Sequence, residues 1–288
     1  MKPILNSLLA SATAALLMSV AGGAAAQSTW NLGSSACGSG GGTTYTTLTC
    51  TGSSTAETAT MTAWGNTGAA TNFVAATLAN WDPSGFGAYG PTDTNTTPYH
   101  AFDSSLPGSS TEQMMISFGP YKVSLTSVAA GWISGDSDIS VLRWDGAGVP
   151  PVMTGKTTAT LLTSGWTLVG SQDLDATGFN LHNQNNAGTA LDAYQSTINL
   201  GNQVSSYWII STYFGSTSGN LDAGNDAFKI LNFAANVCTS GTYTGGNGGN
   251  GGTCAPPPPG VPEPGSLALA GLALFGVFAS RRKVKALL

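Results

Sequence analysis

From residue 43 to residue 233 the chain repeats one pattern: a short run rich in Val, Ile, Thr, Tyr, Phe and Trp, then a break of Gly, Pro, Asn or Asp. The runs 43–50, 113–118, 123–128, 139–144, 166–170, 205–214 and 228–233 have the length of strands, and their β-branched and aromatic side chains suit a pleated surface. Apart from one ambiguous segment, no long helical period appears, and the short strands recur at close spacing with turn chemistry between them. They predict an all-β fold, specifically a single β-sandwich of jelly-roll type. The segment 73–81 satisfies two periods at once. Val74, Leu78 and Trp81 form a helical stripe, while Phe73, Ala75, Thr77 and Trp81 alternate as in a strand.

Composition sets the partner classes. Charged residues are 8% of the chain, against about a quarter in ordinary globular proteins. Seven Trp, eight Tyr and ten Phe supply the apolar area that disordered chains lack. The net charge of −5 hides an asymmetry, because Lys2, Arg281, Arg282, Lys283 and Lys285 sit at the ends. Between them only Lys122, Arg143, Lys156 and Lys229 face the thirteen acids from Glu57 to Asp226. A middle region this acidic, with no basic stripe, excludes nucleic acid as a partner, since phosphate neutralisation needs clustered Lys and Arg.

The two ends read as targeting segments. Residues 1–26 carry Lys2, an apolar run over 8–20 and Ala24-Ala25-Ala26, the pattern of a signal peptide cleaved before Gln27. The run is short and lacks a positive flank after it, which argues against a membrane anchor. Residues 27–255 then form the ectodomain, large enough for one full core. Residues 256–264 are a Pro-rich stalk that ends in Pro262-Glu263-Pro264, stiff and extended. Residues 265–288 hold an apolar run over 265–280 and the basic cluster Arg281-Arg282-Lys283. A helix over 265–280 is about 24 Å long, a little short of a bilayer core of about 30 Å. The basic flank decides the reading: it is a stop-transfer signal, so the run is a transmembrane helix with a cytoplasmic tail.

Pro-Glu-Pro, a short apolar helix and a terminal Arg-Arg-Lys cluster together resemble the PEP-CTERM sorting signal of exosortase substrates. The resemblance implies a partner exosortase, a membrane-embedded transpeptidase-like enzyme that recognises Pro262, Glu263 and Pro264 and removes the tail. It further implies transient residence in the inner membrane, then transfer to the cell surface or to the extracellular polysaccharide matrix of a biofilm. The segments 98–144 and 226–233 also resemble ectodomains of some exosortase-dependent surface proteins, through a Pro-x-His-Ala-x-Asp turn, a Gly-Trp pair and an Asp-Ser-Asp-Ile-Ser-Val-Leu strand. Phe102-Asp103-Ser104 departs from that pattern, which has Asn after the Asp.

Four cysteines in an exported chain imply disulfides, with three connectivities possible. Cys37 with Cys50 and Cys238 with Cys254 are the favoured pairs, because each closes a local Gly/Thr-rich loop. A zinc site lacks the Cys spacing, and His100 and His182 do not complete one. Two G-x-G-x-x-G matches, at 85–90 and 246–251, open no helix and so cannot cradle a phosphate. No nucleophile elbow, P-loop or zinc-protease motif occurs. Asp136 and Asp138 alternate onto one side of an extended chain and, with Asp103, offer carboxylates to Ca²⁺; the competing reading is that they cap turns. Tyr89, Tyr99, Trp144 and Tyr207 are candidates for stacking on sugar rings. These observations lead first to a non-catalytic surface or matrix protein with no cofactor beyond Ca²⁺. The alternative is a calcium-stabilised polysaccharide-binding module, and a secreted glycan hydrolase with a carboxylate pair comes third.

Overall fold

The computed structural model describes residues 27–32, 37–38, 41–54, 57–66, 72–90, 93, 100–104, 111–174, 179–180, 194–216, 220–222, 224, 226–238, 243–244 and 250–254; at 179, 180, 194, 243, 244 and 254 it describes the backbone alone. The segments 1–26, 256–264 and 265–288 lie outside this set. Among the described residues no helix is long and apolar enough to cross a membrane.

The described elements are almost all strands. They begin with β1 (Gln27–Asn31), β2 (Thr44–Tyr45), β3 (Leu48–Thr51), β4 (Thr58–Gly65), β5 (Val74–Asn80), β6 (Phe86–Tyr89) and β7 (Phe102–Asp103). Next come β8 (Glu112–Ser117), β9 (Lys122–Ile133), β10 (Asp138–Trp144), the short helix α1 (Thr158–Thr163) and β11 (Trp166–Asp173). The order closes with β12 (Phe179–Asn180), β13 (Tyr194–Thr197), β14 (Tyr207–Thr212), β15 (Ala227–Cys238), β16 (Tyr243–Thr244) and β17 (Thr253–Cys254). The all-β expectation holds.

The main sheet follows the path β11-β10-β14-β8-β4-β5-β6-β15-β9-β13-β12, with β1 and β7 also on β15, β2 on β5 and β3 on β4. β5 is the hinge of this path. Its first residues, Val74 to Ala76, pair with β4, and its last, Thr77 to Asn80, pair with β6. The ambiguous segment 73–81 is therefore a strand, fixed by neighbours on both sides. The run read as one strand over 43–50 is two, which bend apart so that β2 joins β5 while β3 joins β4.

Period-two alternation sorts side chains between two cores. In β10, Ile139 and Val141 enter the main core, while Leu142 and Trp144 enter a second cluster with Phe73, Met153, Leu161, Trp166 and Ile209. In β14, Trp208 and Ile210 face the main core and Ile209 the second. Trp30, Phe118 and Phe233 meet at the main core's centre, with ring centroids 5.1, 5.4 and 6.2 Å apart. α1 was not visible in the sequence, since Thr158–Thr163 reads TATLLT with three threonines. It forms because Thr157 and Thr160 make a reciprocal capping box and Leu161 is buried in the second cluster.

Cys37 and Cys50 form a disulfide, both buried in the main core. Cys238 is also disulfide-bonded; the other half of the second expected pair, the Cys254 side chain, lies outside the described set. The 85–90 glycine motif has a structural role. β6 lies so close to its neighbours that a Cβ at Gly87 would overlap the His100 carbonyl, and one at Gly85 the Ile230 carbonyl. These glycines let backbones approach each other.

Candidate functional site

Asp136, Asp138 and Asp226 converge, each bringing a carboxylate oxygen within 4.8 Å of the other two. Asp136 is half-buried, and Asp138 and Asp226 are fully buried. The convergence is built by backbone. Gly135, at φ 84°, makes the tight turn that pairs Ser134 with Asp136. Asp136 then bridges in parallel to Asp226: the Ala227 N–H donates to the Asp136 carbonyl at 3.0 Å, and the Ser134 N–H to the Ala227 carbonyl at 2.9 Å. Asp138 opens β10, and the Tyr213 N–H donates to its carbonyl at 3.0 Å.

Donors hold the carboxylates in place. The Asp138 N–H donates to Asp226 Oδ1 at 3.0 Å, Ser104 Oγ to Asp226 Oδ2 at 2.8 Å, and the Asp222 N–H to Asp138 Oδ2 at 2.6 Å. The Ser137 N–H donates to Asp136 Oδ1 at 2.7 Å. Asp138 Oδ1 is buried and has no hydrogen-bond partner among the described residues. No Lys or Arg in the described set forms an ion pair with Asp138 or Asp226. Burial, reinforced by the neighbouring carboxylates, pushes Asp138 up to about 7 and Asp226 up to about 8, against the pull of the Asp222 and Ser104 donors.

The structure keeps Asp136 and Asp138 together, as expected, but Asp103 does not join them. Asp103 sits in β7 opposite Ala227, and its N–H donates to Glu112 Oε2 at 3.3 Å. It belongs to a second acidic group around Glu112, whose carboxyl is raised well above the usual range by burial and then by Asp103 and Asp93. The neighbour of Asp103, Ser104, reaches the cluster instead. Asp226 is the member that sequence reasoning missed. Its segment, 222–226, looks like an ordinary Asp/Asn loop, and only the register of β15 brings it back to Asp136.

His100 is not a ligand of the acidic cluster. It is buried and stacks on Trp81, centroids 4.1 Å apart. Burial and the charge of Lys229 lower its pKa. Lys229, directly across from Trp132 in the β9–β15 ladder, places its Nζ 3.9 Å from the Trp132 ring centroid and 5.4 Å from that of Trp81. Lys229 is itself buried, which pulls it down to about 8. Of the aromatics expected to stack on sugars, Trp144 is core, Tyr89 and Tyr207 are half-buried, and Tyr99 lies outside the described residues.

The family comparison falls on the other end of the chain. Residues 260–283 match the model of the PEP-CTERM protein-sorting motif. The chain carries a PEP-CTERM sorting signal. The match contains Pro262, Glu263 and Pro264, the apolar run and the cluster Arg281-Arg282-Lys283, as the sequence predicted. A PEP-CTERM signal marks an exosortase-targeted surface protein, exported and held at a membrane before release. No curated protein matches the chain. The PEP-CTERM match covers the tail alone, so the chemistry of 27–255 rests on its own residues.

Proposed function

We propose that this chain is a non-catalytic cell-surface or exopolysaccharide-matrix protein that an exosortase cleaves near Pro262–Pro264. Residues 1–26 direct export and are removed, residues 265–288 hold the chain in the inner membrane, and the stalk at 256–264 presents the motif to the enzyme. The two halves of the sheet path on either side of β5 act as the two layers of a jelly-roll-type sandwich displayed at the surface.

The observation that carries this reading is the PEP-CTERM match at 260–283. The Pro-rich sequence before the motif supports it physically, because such a sequence favours an extended chain that an enzyme can bind at low entropic cost. In the native host, Glu263→Ala should leave full-length protein in the membrane fraction and deplete the surface form. Intact mass of the wild-type surface form should lack residues 281–288. A surface form that retains them overturns the reading.

A further inference from the structure

We propose that Asp136, Asp138 and Asp226 form a divalent-cation site of the calcium type, independent of the sorting tail. Three carboxylates within 4.8 Å repel one another wherever they are ionised, and two of these are fully buried. Surface acids escape such repulsion by rotating into water, but the carboxylates of Asp138 and Asp226 accept three hydrogen bonds, from the Asp222 N–H, Ser104 Oγ and the Asp138 N–H. The fold thus holds negative charge together, and among the described residues no lysine or arginine pairs with Asp138 or Asp226.

A second observation points to a guest. Asp138 is fully buried, yet its Oδ1 accepts no hydrogen bond among the described residues. Buried acceptors are nearly always satisfied, and an unsatisfied carboxylate oxygen beside two other carboxylates suits a cation. The oxygens that already accept N–H or O–H bonds keep a second lone pair, so the existing donors orient the ligands without blocking them.

The donor set selects the ion. The group contains oxygen alone, with no thiolate and no imidazole, which disfavours Zn²⁺ and other borderline or soft metals. Three carboxylates contributed by a turn and a strand start are irregularly placed. Ca²⁺ accepts irregular geometry and completes its six to eight ligands with backbone carbonyls and water, whereas Mg²⁺ demands a near-ideal octahedron. The ligands come from two distant parts of the sequence, so the ion would join the entry of β10 to the entry of β15.

The test uses the full chain in detergent, stripped with EDTA and dialysed. Equilibrium dialysis with ⁴⁵Ca²⁺ should give one ion per chain. At a Ca²⁺ concentration a hundred times Kd the unfolding midpoint should rise by roughly 5–10 °C, with a smaller response to Mg²⁺. Asp226→Asn keeps an acceptor for the Asp138 N–H while removing one charge. It should abolish binding and, without metal, be at least as stable as wild type. The exposed Asp82→Asn should bind as wild type does. No bound ⁴⁵Ca²⁺ at millimolar concentration, retained binding in Asp226→Asn, an equal response to Mg²⁺, or an Asp226→Asn chain that unfolds more readily than metal-free wild type would each overturn the assignment.

Discussion

Lys229 is the residue at which the cost of burying a charge in this fold can be tested. Its ammonium lies under two indole rings, and the environment lowers it from 10.5 to about 8. At about 1.4 kcal/mol per unit, holding the charge inside costs about 3 kcal/mol at neutral pH. Replacing Lys229 with Met removes that cost and leaves a thioether that packs well on aromatic rings. The variant should be more stable than wild type by roughly 2–3 kcal/mol at pH 7. The sign with pH follows from proton counting. Between pH 8 and about 10.4 the unfolded lysine still holds its proton while the folded one has lost it, so wild-type stability rises with pH. The gain is complete above the unfolded pKa and is lost as pH falls through about 8. Urea unfolding of both proteins at pH 7, 8, 9 and 10 should show the variant's advantage shrinking toward zero. An advantage that stays flat over this range, or a variant less stable at pH 7, refutes the reasoning.

Two further outcomes follow from the core. The Cys37–Cys50 crosslink closes a loop with a sequence separation of 13, so Cys37→Ser with Cys50→Ser should cost about 3 kcal/mol in urea unfolding; non-reducing peptide mapping of wild type should recover that pair together with Cys238 linked to Cys254. Phe233→Ala removes the ring that stacks on Trp30 and meets Phe118 edge-on, and should cost about 3–5 kcal/mol by thermal or urea unfolding.

How much of this was legible in the sequence depends on how local each signal is. The strands around Ile139, Trp208 and Phe228 were readable because alternation and β-branched residues sit within one run. β1, β4 and β13 were not, since QSTWN, TATMTAWG and YQST carry few large apolar residues and owe their pairing to partners far along the chain. The Asp136–Asp138 pair was visible from a spacing of two. Asp226 was not, because its approach depends on the β15 register, and Asp103 was misplaced because its turn lies one residue from the position that touches the cluster. Nothing next to Lys229 in the sequence marks it as enclosed; its ladder partner Trp132, far along the chain, does.

The position of β15 has a consequence for the order in which the protein comes into being. This strand pairs with β1, β6, β7 and β9, so the earliest strand, at Gln27–Asn31, finds its ladder only in residues 232–236. A chain threaded through a translocation channel from its N-terminus delivers β1 first and its partner nearly last. Until then the apolar face of β9 also lacks its longest neighbour, and closing so long a loop is entropically slow. A half-delivered chain therefore lacks the strand that joins its parts: β1, β6, β7 and β9 all wait for β15.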